Sequence, residues 1–271
     1  GLVDLRGADI GGQLDCTGGR FDGGTGQALN CNAAQIGASV FLRKEFHATG
    51  LVNFIRAQIG GNFTAVKARF EGGLELDTAQ IENSLFLLDI ESAVPLLNLT
   101  ETQVGVLADD VGSWEKVKNL GLSGFTYGNI QSDLGIQDRL TWLSRKRERY
   151  LPPEMAKSLH AQPWLNAPAT GFDPQPYTQL AKVLDAQGNR AGAARVLAKR
   201  EGRLRAAEQR RAFGRLDGTF RAAFGSLPAH LRQIWNVIFK SVFGYGHQPA
   251  RALPWMLGIW LSGFALYGAA Y

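Results

Sequence analysis

Cysteine and histidine are scarce in this chain of 271 residues. It contains 2 Cys and 4 His, with no C-x-x-C pair and no H-E-x-x-H segment. A disulfide scaffold, a zinc ribbon and a thioredoxin-like centre each need more cysteines or a closer spacing of them. The sequence therefore excludes these classes, and we predict no metal site.

Proline is rare outside one segment, whereas glycine is abundant. Six of the 10 Pro lie between positions 152 and 176, while the 33 Gly exceed the average share of roughly 7%. Hydrophobic residues make up 45% of the chain, which excludes disorder throughout. The glycine excess therefore needs a structural explanation.

The charges are distributed unevenly. Residues 1–150 carry 14 Lys and Arg against 18 Asp and Glu, whereas residues 151–271 carry 15 against 6. The net charge is −4 in the first part and +9 in the second. A basic C-terminal part predicts an anionic partner there, either phospholipid or nucleic acid.

A phrase of four residues, A-x-I-G, recurs in the first half of the chain. Its central apolar residues follow one another at steps of 26, 23, 22 and 23 residues. Seven and five residues before each centre lie further apolar residues, and this two-residue alternation is typical of a β-strand. The centres are Ile10, Ile36, Ile59, Ile81 and Val104.

This period predicts a β-solenoid, in which each turn buries its apolar residues only against its neighbours. No helical pattern fits between the glycines of residues 1–113. Glycine suits the corners, where a positive φ or a close backbone approach makes a Cβ costly. We expect residues 1–130 to form five to six turns with the central residues stacked as an internal ladder. Cys16 and Cys31 occupy positions held by Leu, Ala or Phe in other turns, so we predict that both are core residues.

The repeat resembles that of the degenerate pentapeptide-repeat proteins. A small residue stands two positions before the apolar centre, as in Ala8 and Ile10 or Ala57 and Ile59, which fits the alternating inward positions of that family. The resemblance implies a right-handed β-helix with four five-residue faces per turn. Turns of 22 to 26 residues exceed 20 and imply extra corner residues.

The pattern becomes helical after the repeats. Residues 131–150 predict a capping helix, because the end of a solenoid exposes apolar faces and unpaired strand edges. The prolines of residues 151–176 predict a linker or docking loop. Residues 177–216 predict a basic αα-hairpin that turns at Gly188.

The second helix of this hairpin is predicted to lie on a membrane surface. Residues 190–215 contain nine Lys and Arg against two Glu. Nucleic acid is not expected, because the interleaved aromatic residues of single-strand binders are absent from this segment. Anionic lipid headgroups are the favoured partner. The residues assigned to them are Arg195, Lys199, Arg200, Arg203, Arg205, Arg210 and Arg211.

The last part of the chain predicts membrane attachment. Residues 217–251 form an amphipathic juxtamembrane segment, whose interfacial apolar residues are Ile234, Trp235, Ile238 and Phe239. Residues 252–271 carry no charge and predict a transmembrane helix, because 20 residues span about 30 Å. Lys240, Arg251 and the upstream basic residues predict an inner-membrane protein with residues 1–251 in the cytoplasm.

Together, three features resemble bacterial pentapeptide-repeat-like membrane proteins. They are the A-x-I-G turns, the Y-x-x-L-A-x-x-L-x-x-x-G hairpin from Tyr177 to Gly188, and the phrase G-Y-G-x-x-P-x-R from Gly244 to Arg251. Many relatives are labelled membrane-associated oxidoreductases, but no dinucleotide, haem or cysteine-cluster motif accompanies the label here. The G-Y-G phrase is also similar to channel proteins in which a pentapeptide-repeat domain precedes a two-helix pore.

These observations favour a non-catalytic scaffold, anchored to the membrane and contacting an unknown protein partner or a second copy of itself. No catalytic residue and no cofactor are predicted, since Asp109, Asp110, Asp133 and Asp138 read as corner and cap residues. One alternative is the regulatory or assembly domain of a channel whose pore lies beyond Tyr271; another is a membrane-associated oxidoreductase. The chain starts inside a repeat, so we expect it to be a fragment.

Overall fold

The structure is a computed structural model that describes residues 1–144 and 172–214. Residues Gly1–Leu204 form one compact unit, and a second unit begins at Arg205, inside a helix. Residues 3–131 wind into a β-solenoid of about six turns, followed by helices. The predicted repeat fold is thus confirmed.

The strands are short and pair in parallel. They are β1 (Val3–Asp4), β2 (Asp9–Ile10), β3 (Leu14–Asp15), β4 (Arg20–Phe21), β5 (Gln27–Asn30), β6 (Gln35–Ile36), β7 (Val40–Arg43), β8 (His47–Ala48), β9 (Leu51–Asn53), β10 (Gln58–Ile59), β11 (Phe63–Val66), β12 (Arg69–Phe70), β13 (Leu74–Glu75), β14 (Gln80–Leu88), β15 (Val94–Asn98), β16 (Gln103–Asp109), β17 (Val117–Gly121) and β18 (Thr126–Gln131). The helices are α1 (Val111–Glu115), α2 (Ile136–Ser144), α3 (Gln175–Ala186) and α4 (Arg190–Gly214).

Three sheets run along the solenoid. Sheet A contains β1, β5, β9, β13, β15 and β17, one strand from each turn. Sheet B contains two columns of strands, the first beginning with β2, β6 and β10 and the second with β3, β7 and β11; β14 spans both columns. Sheet C contains only β4, β8 and β12.

The central residues of the repeat occupy one position in consecutive turns. Ile10 pairs with Ile36, Ile36 with Ile59, Ile59 with Ile81, Ile81 with Val104, and Val104 with Tyr127. Ile36, Ile59 and Ile81 are at most 2% exposed, whereas Ile10 in the first turn is half-buried. The apolar ladder therefore lies in the core, and Tyr127 adds a sixth position that the sequence had not indicated.

Most left-handed corner positions are held by residues other than glycine. At the corner that follows sheet A, Ala33, Arg56, Thr78 and Glu101 have φ values between 52° and 57°. Glycine takes this position in the outer turns, at Gly7 and Gly124. At this corner glycine therefore supplies the positive φ in the outer turns, whereas in the middle turns strand pairing on both sides holds the strained backbone of other residues in place.

Sheet C ends after β12, where serine side chains take the place of further strand bonds. The backbone amide of Phe70 donates to Ser92 Oγ at 2.8 Å, and that of Ile90 donates to Ser113 Oγ at 3.1 Å. Ser113 lies in α1, and its amide donates to the N-cap Asp110 at 2.8 Å. The last turns thus replace a strand by a short helix.

Helix α2 covers the core of the last turns. The buried Arg139 guanidinium donates to both carboxylate oxygens of Asp109 at 3.1 and 3.2 Å, and Trp114 Nε1 donates to the same carboxylate at 2.8 Å. The rings of Trp142 and Trp114 stack at 4.4 Å between centroids. The helix lies within residues 131–150, for which we predicted a capping helix.

Helix α3 and the residue that follows it cover the free edge of β18. Gln175 Nε2 donates to the Phe125 carbonyl at 3.1 Å, Gln179 Nε2 to the Tyr127 carbonyl at 2.7 Å, and Gln187 Nε2 to the Ile130 carbonyl at 2.8 Å. Glutamine side chains thus bind the carbonyl groups that a seventh strand would bind. The sequence predicted the hairpin but not this contact.

Several predicted segments fall outside the described residues: most of the linker 151–176, the juxtamembrane segment 217–251 and the transmembrane helix 252–271. Within residues 1–144 and 172–214, no helix is both long enough and apolar enough to cross a bilayer.

Candidate interaction surface

Four glutamines form a regular row on the outside of sheet B. Gln35, Gln58, Gln80 and Gln103 pair in register and are all exposed. Neighbouring parallel strands lie about 4.8 Å apart, so the side-chain amides repeat at that spacing. We call this row the glutamine face. It offers uncharged donors and acceptors at fixed intervals over four turns.

A row of glycines runs beside the glutamine face. A Cβ on Gly37 would lie 2.6 Å from the carbonyl oxygen of Gly11, and a Cβ on Gly60 would lie 2.6 Å from that of Gly37. A Cβ on Gly105 would meet the carbonyl oxygens of Glu82 and Asn83 at the same distance. The glycines of the A-x-I-G phrase therefore permit close stacking of the turns, and they leave a furrow beside the amides that the exposed Glu82 interrupts in the fourth turn.

The furrow ends in a groove between sheet B and α3. The groove has a volume of about 440 Å³ and is open to solvent. Its polar lining includes Gln80, Glu82, Gln103, Gln179 and Lys182. One carboxylate, one ammonium and several amides suit a polar partner segment better than an apolar ligand.

The second column of sheet B exposes apolar side chains. Phe41, Thr64 and Phe86 lie at one outward position of successive turns, and Arg43, Val66 and Leu88 lie at the next outward position. All six are half-buried. The Arg43 guanidinium lies over the Phe41 ring at 4.2 Å from its centroid. We call Phe41, Thr64, Val66, Phe86 and Leu88 the aromatic patch.

The residues assigned to the membrane surface fall into separate groups. Arg195, Lys199 and Arg205 are exposed on α4. Arg200 donates to Thr178 Oγ1 at 3.0 Å and to Glu201 at 2.8 Å. Arg203 donates to the Ser144 carbonyl at 3.2 Å and to the Tyr177 hydroxyl at 3.3 Å, so it joins α4 to α2 and α3.

Six further assigned residues lie outside what the structure describes for side chains. These are the side chains of Arg210 and Arg211, and the whole interfacial group Ile234, Trp235, Ile238 and Phe239. Their proposed lipid contacts stay predictions.

A column of polar residues lies in the wall of the solenoid at the end of sheet A. Asp4, Asn30, Asn53, Glu75 and Asn98 share one register position. The Oδ1 atoms of Asn30, Asn53 and Asn98 each accept the backbone amide two residues later, at 2.9 to 3.2 Å. The column therefore fixes the corner in these turns, as an Asx turn does.

Glu75 is the exception in this column. Its side chain is fully buried, Oε2 accepts from Asn98 Nδ2 at 2.9 Å, and Oε1 has no partner among the described residues. Burial raises the pKa of Glu75 to about 8, although the hydrogen bond from Asn98 acts in the opposite direction. The carboxyl group is therefore mostly protonated at neutral pH.

The other titratable groups singled out in the sequence have packing roles. Cys31 is fully buried and Cys16 half-buried, and burial raises the pKa of Cys31 to about 12 and that of Cys16 to about 11. Because the thiolate is the nucleophilic form, neither cysteine resembles a reactive one.

Asp138 lies in the first turn of α2. No set of three His, Cys, Asp or Glu residues within 1–144 and 172–214 could hold a metal ion.

Comparisons with known proteins give no further guidance on this site, because no family model, no curated protein and no solved structure matches the chain.

The sequence did contain signals for the surfaces that the prediction missed. The x of A-x-I-G is Gln in three of the four phrases, and Gln103 follows the same spacing. The asparagines likewise recur six residues before the centre, at Asn30, Asn53 and Asn98. Neither position was assigned a role from the sequence, because the prediction rests on the spacing of the apolar residues.

Proposed function

We propose that this chain is a non-catalytic scaffold that binds a protein partner through the glutamine face. The observation that carries the proposal is the exposed register of Gln35, Gln58, Gln80 and Gln103 beside a row of glycines that only Glu82 interrupts between Gly37 and Gly105. Exposed amides at a fixed spacing bind a partner only if the partner has a matching polar surface. Solenoids commonly bind partners along such extended surfaces.

The rigidity of this face supports the proposal. The turns are joined by parallel strand pairing on three sides, and the core positions behind the glutamines are filled by buried apolar residues. A surface whose backbone is already held in place loses less conformational entropy on binding. The partner segment is expected to be uncharged and polar over the glutamine row, with one charge of each sign near Glu82 and Lys182.

We further propose that the scaffold is a right-handed, pentapeptide-repeat-like β-helix held at the cytoplasmic side of the inner membrane. The support is the sequence of residues 217–271, together with the exposed Arg195, Lys199 and Arg205 on α4. Each well-placed Lys or Arg contributes about 1 kcal/mol to binding an anionic leaflet. Arg203 contributes to helix packing instead, since its guanidinium binds Ser144 and Tyr177.

Site-specific photocrosslinking in cells tests the protein contact. A photoreactive residue at position 58 or 80 of the full chain is expected to capture one discrete partner. The same residue at the exposed Lys118, on sheet A, serves as the matched control. Gln35→Glu with Gln103→Glu is expected to abolish capture without changing the circular dichroism spectrum. Equal capture from position 118 would contradict the glutamine face as the contact.

Vesicle flotation tests the lipid contact separately. A chain ending at His247 is expected to float with phosphatidylglycerol vesicles and to dissociate as salt rises. Arg195→Gln with Lys199→Gln is expected to weaken flotation, whereas Arg203→Gln is expected to lower the melting temperature instead. Equal flotation with neutral and anionic vesicles would mean that these basic residues serve another purpose.

A further inference from the structure

The aromatic patch lies on a part of the solenoid that the proposed scaffold function does not use. Phe41, Val66, Phe86 and Leu88 are outward-facing on strands whose inward positions already fill the core. Contiguous apolar patches on a protein surface mark interaction sites, and aromatic residues are enriched at interfaces. The patch therefore indicates an additional binding partner.

The two phenylalanines of the patch lie symmetrically about its middle strand, whereas the second outward row has Arg43 on one side of Val66 and Leu88 on the other. Phe41 in the second turn and Phe86 in the fourth lie on either side of Thr64 in the third. A twofold axis along β11 would place the second turn of one copy opposite the fourth turn of another. Phe41 would then pack on Phe86 of the second copy, while Thr64 and Val66 would each lie opposite themselves.

The charges at the neighbouring corner fit the same axis. Lys44, Lys67 and Asp89 lie in register at this corner with φ values of 49°, 53° and 53°, and all three side chains are exposed. The axis brings Lys44 opposite Asp89 of the second copy, twice in each dimer. Of these three corner residues, Lys67 lies opposite Lys67 of the second copy. Its long side chain is exposed at the corner, so the two ammonium groups can turn away from each other into solvent.

We propose that the aromatic patch is the interface of a symmetric dimer, in which two solenoids pack face to face through the second column of sheet B. The occupant is a second copy, because the corner carries charges of both signs in positions that complement each other. An anionic membrane would gain little here, because the charges of Lys44 and Lys67 are balanced by those of Glu45 and Asp89. Isologous interfaces require this kind of self-complementarity. Sheets that pack face to face lie about 10 Å apart, which sets the expected distance between the two copies of sheet B.

The patch is smaller than a standard interface, which buries about 800 Å² on each partner. Three turns with two outward residues each form its centre, so we expect a dimer that dissociates on dilution. This inference is independent of the proposed scaffold function, because the glutamine face lies on the first column of the sheet. If the dimer proposal fails its test, the proposed contact at the glutamine face is unaffected, and the reverse also holds.

Cysteine crosslinking of the full chain in detergent tests the geometry. In a Cys16→Ala background, Thr64→Cys is expected to give a crosslinked dimer with a short bismaleimide, because Thr64 lies on the axis. Gln58→Cys, exposed in the same turn on the first column, is the matched control and is expected to stay monomeric. Equal crosslinking at the two positions would overturn the proposal.

Charge reversal tests the pairing of the corners. Lys44→Glu or Asp89→Lys alone is expected to raise the dimer dissociation constant, measured by sedimentation, by about tenfold, since each change acts at two pairs. The double variant is expected to restore dimerisation. If the double variant dimerises no more tightly than the two single variants, the proposal is overturned. Binding to phosphatidylglycerol vesicles that Lys44→Glu abolishes and Asp89→Lys strengthens would instead assign the patch to lipid.

Discussion

The side chain of Gln179 donates a hydrogen bond to the backbone carbonyl of Tyr127 at 2.7 Å. Tyr127 lies in β18, which pairs with β16 on one side and with no further strand of the described residues on the other. A helix side chain thus binds a group that every earlier turn pairs with the next strand. The end of the solenoid is closed by glutamines as well as by apolar packing.

Replacing this glutamine is expected to destabilise the last turn. Gln179→Met keeps the length of the side chain but leaves a carbonyl without its donor, which costs about 1–3 kcal/mol. Urea unfolding followed by circular dichroism measures the loss. Gln58→Met removes an exposed glutamine with no such bond and is expected to change stability by under about 0.5 kcal/mol. Equal effects of the two substitutions would show that the α3 contacts do not contribute.

Glu75 is expected to make stability depend on pH. Its pKa is about 8 in the folded chain, against the ordinary value of 4.5. Between these values the folded chain holds a proton that the unfolded chain has released, so the free energy of unfolding falls as pH rises, by up to about 1.4 kcal/mol per unit. Glu75→Gln is expected to remove this slope, which urea unfolding at pH 5, 6.5 and 8 would reveal.

Glu82→Gln is the control for Glu75, because Glu82 is exposed on sheet B. The control variant is expected to retain the pH dependence of the unmodified chain. A slope that persists in Glu75→Gln would mean that other groups cause it.

The apolar ladder is expected to tolerate charge only at its first position. Ile59 is 1% exposed, so Ile59→Asp would bury a carboxylate without a partner and cost several kcal/mol. Ile10 is half-buried in the first turn, and Ile10→Asp is expected to cost less. Melting temperatures of the two variants compare them directly, and equal values would contradict the register.

Glycine at one strained corner is expected to stabilise the solenoid. Thr78 has a φ of 56°, a conformation that a β-branched residue rarely adopts. Thr78→Gly relieves a strain of about 1–2 kcal/mol and loses part of that gain to backbone entropy, for a net gain of up to about 1 kcal/mol. Thr64→Gly, in strand β11, is expected to be destabilising. A melting temperature lowered equally in both variants would argue against strain at this corner.

The sequence predicted the solenoid and its register because one residue in each turn must be apolar and must recur at a fixed spacing. Ile36, Ile59 and Ile81 satisfy this requirement, and the structure stacks them as expected. The corners were less predictable: Ala33, Arg56 and Thr78 hold left-handed backbone because strand pairing imposes it, although their own preferences oppose it. The bonds from Gln179 and Arg139 join positions 52 and 30 residues apart, and no local pattern specifies such pairs.

The glutamines that close the solenoid have a further consequence during protein synthesis. β18 ends at Gln131, whereas Gln187, whose side chain binds the Ile130 carbonyl, is made 56 residues later. At about 5–20 residues per second, a ribosome needs roughly 3–11 s to cover that distance. For that interval the nascent chain presents an open parallel strand edge that another chain could extend. Until its cover is made, the last strand is therefore open to pairing with another chain, which is a route to aggregation.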